Sequence, residues 1–104
     1  KSIEMSIAVY KLTEKFPKDE MYGLTSQLRR AGVSTASNIA EGFGRGSTSD
    51  YKRFLSMARG SSFEVQTQLV IARQLRLGNE QDLQIAEGLS QEVGKMLVKM
   101  MNSF

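Results

Sequence analysis

Apolar residues recur along most of the chain at steps of three and four, the spacing that lays a stripe along one side of an α-helix. From Ser2 to Phe16, Ile3, Ile7 and Tyr10 fall on one stripe with Met5, Val9, Leu12 and Phe16 beside it, so the spacing predicts a first helix with a wide apolar face. Pro17 stops it, because the residue before a proline avoids the helical region. Phe16-Pro17-Lys18-Asp19 therefore reads as the first turn. A second helix is predicted from about Asp19 to Phe43 on a stripe of Leu24, Leu28, Ala31, Thr35, Ile39 and Gly42. Ala31, Gly32, Ser34, Thr35, Ala36, Ser37 and Ala40 are nearly all small, which lets a neighbouring helix come close. Gly42, Gly44 and Gly46 end this helix in a loop.

Ser47 followed by Asp50 resembles a capping box with Asp in place of the usual Glu. The third helix runs from there to about Leu77 on a stripe of Tyr51, Phe54, Ala58, Ser61, Ser62, Val65, Leu69 and Ala72. Gly78 reads as its stop and Asn79 as the cap of a fourth helix carrying Leu83, Ala86, Leu89 or Ser90, Val93, Met96, Leu97, Met100 and Phe104. Short connections between long helices make neighbours antiparallel. The expected fold is all-α, a single domain over residues 1–104 built as an antiparallel up-and-down four-helix bundle.

Composition narrows the chemistry. The chain has no Cys and no His, which removes thiolate chemistry, the commonest general base and the commonest metal ligand. Ser-His-Asp and Cys-His catalysis are excluded, and a di-metal bundle site would need Glu-x-x-His pairs. No enzyme, metal or cofactor is expected, and no catalytic residue is assigned. Gly42-Phe43-Gly44-Arg45-Gly46-Ser47-Thr48 imitates a phosphate-cradling loop, but no Lys-Ser/Thr pair follows the glycines and no strand precedes them. Apolar runs are too short to span a bilayer and no leader-like segment opens the chain, so a cytoplasmic protein is expected. The chain opens on Lys1 rather than Met, which reads as a truncated start.

The formal charge of +3 is unevenly spread. All seven Arg fall between residues 21 and 78, where eight basic residues face only three acids. Arg29, Arg30, Arg45, Lys52, Arg53, Arg59 and Arg73 are the candidate nucleic-acid contacts, since guanidinium forks suit phosphate. No interleaved aromatic platform accompanies them, and a solvated face is the plainer reading for one monomer. Repeating this stretch around an oligomer would concentrate its potential. On the third helix Phe63 and Val70 point away from the core stripe, with Arg59 beside them, and form a candidate subunit interface. Gln27, Arg30, Ser34, Asn38 and Glu41 on the second helix, with Glu64 and Gln68 on the third, form a polar ridge. It reads either as a functional pocket or, more simply, as a seam that fixes helix register.

Three blocks resemble a known bacterial family: Phe16-Pro17-Lys18-Asp19-Glu20 with Tyr22 to Ala31, Ser37-Asn38-Ile39-Ala40-Glu41-Gly42-Phe43-Gly44-Arg45, and Phe54 to Ser61 with Glu64 and Thr67-Gln68-Leu69. Together they resemble the four-helix-bundle proteins encoded by intervening sequences in 23S ribosomal RNA genes, with the accessory variability protein of diversity-generating retroelements as a related branch. Gly32 stands where that family commonly has Ala, and Thr35-Ala36 where Ile-Pro is common. The resemblance implies a homopentameric ring without catalysis. For the retroelement branch it implies a basic surface and a reverse transcriptase as partner; for the other branch, an RNA or ribosome link that rests on gene location. The resulting expectation is a self-associating adaptor with RNA or a nucleic-acid enzyme as partner; the alternative is a protein-binding scaffold with no nucleic-acid role.

Overall fold

In the computed structural model, which describes residues 1–103, four helices form where the stripes predict them. They are α1 (Ser2–Thr13), α2 (Ser26–Phe43), α3 (Thr48–Gln74) and α4 (Glu80–Met101). Phe104, expected on the fourth stripe, lies outside the described residues.

Caps define most of the boundaries. Ser47 Oγ accepts from the Asp50 amide at 3.1 Å and Asn79 Oδ1 from the Asp82 amide at 2.8 Å, so both predicted N-caps satisfy amides that the helix itself leaves orphaned. The end of α3 differs from expectation. The Leu77 amide reaches back to the Ala72 carbonyl and the Arg76 amide to the Arg73 carbonyl, the paired bonds of a Schellman turn. The left-handed residue that this turn needs is Arg76 (φ 56°), not Gly78. Gly78 adopts a second positive φ (73°) just beyond it. Between α1 and α2, Pro17 precedes a 3-10 turn (Lys18–Glu20) and a π-type turn (Met21–Thr25). The backbone turns non-helical at Gly23, so the second helix begins at Ser26 rather than near Asp19.

Cross-helix pairs give the topology. Arg30 meets Glu64, Ser34 meets Ser61, and Gly42 abuts Tyr51: positions rise along α2 as they fall along α3. Lys1 to Glu92 and Lys15 to Asp82 set α1 antiparallel to α4 in the same way. Each helix packs on two others in the order α1, α2, α3, α4 and back to α1, an up-and-down bundle measuring 43 × 22 × 18 Å.

Met5, Val9, Leu12, Leu28, Leu55, Val65, Leu69, Val93 and Leu97 fill the shared core. The small residues of α2 act as expected. A β-carbon on Gly32 would touch Ser6 of α1, and one on Gly42 would stand 3.2 Å from the Tyr51 ring. The α3 stripe is buried from Phe54 to Ala72 with Leu55 added to it, while Tyr51 at its start is only half-buried. The α1 stripe is not: Ile3, Ile7 and Tyr10 are exposed, and Ala8 and Thr13 turn inward instead. Thr13 tolerates burial because its hydroxyl donates to the Val9 carbonyl at 2.8 Å. No helix among the described residues is long and apolar enough to cross a membrane.

Candidate functional site

The expected interface residues lie along one outer side of α3 and border α4. The Arg59 guanidinium sits 5.1 Å over the Phe63 ring. Phe63 is 44% exposed and Val70 57% exposed. Phe63, Gln66, Gly94, Lys95, Val98 and Lys99 line a groove of about 460 Å³ between α3 and α4. Gly94 forms part of its wall, where a β-carbon would stand 2.7 Å from the Gln66 amide nitrogen. That amide in turn donates to the Ser90 carbonyl at 3.2 Å. Val70 lies in the adjoining hollow, which shares Gln66 and Gln91 with the first.

A second apolar face was missed in the sequence. Ile7, Ala8, Ile85 and Leu89 line a groove of about 260 Å³ between α1 and α4, with Glu4, Lys11 and Asp82 at its edges. Ile3, on the same helix as Ile7, is exposed too. The available signal was the excess of apolar residues around α1, which has more of them than one buried stripe can hold. The two grooves flank α4 on the sides of α3 and α1.

The polar ridge breaks into separate contacts. Arg30 Nη2 donates to Glu64 Oε2 at 2.7 Å and to Gln27 Oε1 at 2.9 Å. The Ser34 and Ser61 hydroxyls lie 2.9 Å apart, and Asn38 Nδ2 donates to the Ser34 carbonyl at 2.9 Å. Glu41 stands apart, exposed and 3.7 Å from Arg45. The buried Gln68 Oε1 has no hydrogen-bond partner among the described residues.

The seven candidate nucleic-acid contacts are dispersed. Arg73 is fully committed: Nε and Nη2 fork onto Glu87 at 2.8 and 2.7 Å, and Nη1 donates to Glu80 at 2.8 Å. These bonds push the Arg73 pKa further up and hold the Glu80 carboxyl below its ordinary range. Arg30 is spent on Glu64. Arg29 donates to Thr13 Oγ1 at 2.8 Å and stacks on Tyr10 at 4.6 Å. Lys52 is exposed near the start of α3. Arg45 and Arg53 lie over the Phe54 ring at 4.7 and 4.6 Å, at the end of the bundle where α2 meets α3. Arg59, Lys95 and Lys99 have no carboxylate partner among the described residues. Lys95 and Lys99 were not singled out in the sequence; their i, i+4 spacing around Val98 is the signal that marks them. Among the described residues no group of three or more acidic side chains suits a metal ion.

The fold is shared with a solved structure. The crystal structure of a protein of unknown function from the S23 ribosomal protein family of Bacteroides thetaiotaomicron superposes with a TM-score of 0.85 at 20% identity, covering 98% of this chain and 95% of that one. At that identity the likeness concerns the fold. No curated protein matches the sequence. The description of the 23S rRNA-intervening sequence proteins matches residues 1–99, nearly the whole bundle, and the chain belongs to that family.

Proposed function

We propose that this protein is a non-catalytic adaptor that works by self-association, its copies joined in a closed ring through the two grooves beside α4. The observation that carries this reading is the pair of separate, exposed apolar grooves on either side of one helix. A single bundle gains nothing by leaving Ile3, Ile7, Phe63 and Val70 in water. Two α3–α4 grooves meeting about a two-fold axis would set Arg59, Lys95 and Lys99 against their own copies, which like-charge repulsion disfavours. Docking that groove on the α1–α4 groove of the next copy, edged by Glu4 and Asp82 with Lys11, avoids the clash and builds a ring. Five copies is the number the family resemblance suggests.

The basic residues that line neither groove, Arg45, Lys52 and Arg53 at the end of the bundle where α2 meets α3, favour a nucleic-acid partner for the assembly, in keeping with an RNA- or ribonucleoprotein-associated role. Light scattering across a hundredfold concentration range tests the assembly. A mass several times the 11.6 kDa chain is expected, falling in the Phe63→Ser/Val70→Ser double variant. A constant 11.6 kDa species would overturn it. Filter retention of structured RNA, steeply reduced by salt, is expected of the wild-type assembly. Absence of retention at low salt would leave the protein-scaffold reading in its place.

A further inference from the structure

We infer that the end of the bundle built from Phe43, Arg45, Arg53 and Phe54 is a docking point for single-stranded nucleic acid, with an unstacked base on Phe43 and phosphates on the two guanidiniums. This rests on the nucleic-acid reading above and says which strand form is bound and where.

The two arginines differ from the others in what they leave unspent. Arg30 and Arg73 hold carboxylates at 2.7 to 2.8 Å, full charge-assisted hydrogen bonds. Arg45 and Arg53 stand 3.7 Å from Glu41 and Asp50, beyond hydrogen-bond reach, so their N–H donors are not consumed by those acids. Both guanidinium carbons lie within 4.7 Å of the centre of one ring, that of Phe54, which is itself buried. Ring contact therefore holds the two guanidiniums within about 9 Å of each other, with N–H donors left for the oxygens of an anionic chain.

Phe43 supplies the second element. It is 66% exposed, with its ring centre 5.6 Å from that of Tyr51 and the planes tilted by 31°. Arg45 follows it across Gly44, and Gly42, Phe43, Arg45, Ser47 and Thr48 line a hollow of about 290 Å³. A β-carbon on Gly46 would meet nothing within 4 Å among the described residues, so a strand can approach the loop backbone. An exposed aromatic beside phosphate-seeking cations is the recurrent form of single-strand recognition, because every unpaired base offers a π-face. In a duplex those faces are hidden in the stack, and Phe43 would have nothing to cover.

The experiment is fluorescence anisotropy at low salt with a labelled 12-nucleotide RNA, alone and as a duplex of the same sequence. The proteins are wild type, Phe43→Ala and Arg45→Gln/Arg53→Gln. Wild type is expected to bind the single strand at least tenfold tighter than the duplex. Phe43→Ala should lose about tenfold on the single strand and leave duplex binding unchanged. The arginine pair should weaken both and flatten the slope of log affinity against log salt for the single strand by about 1.4, two phosphates' worth. Equal affinity for both forms, or a Phe43→Ala protein that binds like wild type, overturns the proposal while leaving the nucleic-acid reading intact. No binding of either form overturns both. A drop in assembly mass for Phe43→Ala by light scattering would make Phe43 a subunit contact and also overturn it.

Discussion

Gly78 lies directly against Leu12: a β-carbon on Gly78 would stand 2.6 Å from Leu12 Cδ1, and the backbone there holds φ at 73°. Leu12 is fully buried, so its methyl group has nowhere open to go. Gly78→Ala combines a left-handed backbone penalty with overpacking and is expected to cost about 2–4 kcal/mol. Urea denaturation of the variant measures this; a loss below about 0.5 kcal/mol would mean the α3–α4 turn relaxes freely.

Arg76 offers the opposite change. It occupies the left-handed position of the Schellman turn that ends α3, a place where glycine pays no steric penalty. Its side chain is exposed and makes no ion pair among the described residues. Arg76→Gly is expected to raise stability by about 1 kcal/mol, read as a higher urea midpoint with an unchanged slope.

Ser61 and Ser62 are neighbours with opposite expectations. Ser61 shares a hydrogen bond with Ser34 across α2 and α3, so Ser61→Ala should cost about 1 kcal/mol. The fully buried Ser62 Oγ has no hydrogen-bond partner among the described residues, so Ser62→Ala should be neutral or stabilising by about 1 kcal/mol. Thermal melts should show a lower midpoint for Ser61→Ala and an unchanged or higher one for Ser62→Ala.

Acid should weaken the turn between α3 and α4. The hydrogen bond from Arg73 holds the Glu80 carboxyl below its ordinary pKa, so the folded state binds fewer protons than the unfolded one. The contribution is present above about pH 4.3, where unfolded glutamate is ionised, and is lost as pH falls through the lowered folded value. Glu80→Gln should flatten the acid limb of a stability–pH curve and leave its slope above pH 5 unchanged. Urea midpoints between pH 6 and 2.5 give the comparison; identical acid limbs would remove the role assigned to this pair.

The four helices were legible because in α2, α3 and α4 one stripe runs the length of the helix and outweighs the shorter apolar patches, such as Phe63 and Val70, that stay exposed. In α1, by contrast, Ile3, Ile7 and Tyr10 compete with Met5, Val9 and Leu12, and spacing alone does not choose between them. The choice comes from Ala8, small enough for burial, and from Thr13, whose hydroxyl finds a backbone acceptor. The cap residues Ser47 and Asn79 were legible because their bonds are local. The fates of the arginines were not. Arg73 reaches acids seven and fourteen residues away, and Arg30 one that is thirty-four away; those pairings exist only once the helices are side by side. Arg45 and Arg53, which the sequence grouped with five other candidate nucleic-acid contacts, become distinct through the ring they share.

The shortness of α1 has a dynamic consequence. At 12 residues it is near the limit below which a lone helix does not persist in water, so it keeps its shape only while Met5, Val9 and Leu12 stay docked. Its amides should exchange with deuterated solvent through excursions that leave the other three helices in place, while those at the middle of the 27-residue α3 wait for global unfolding.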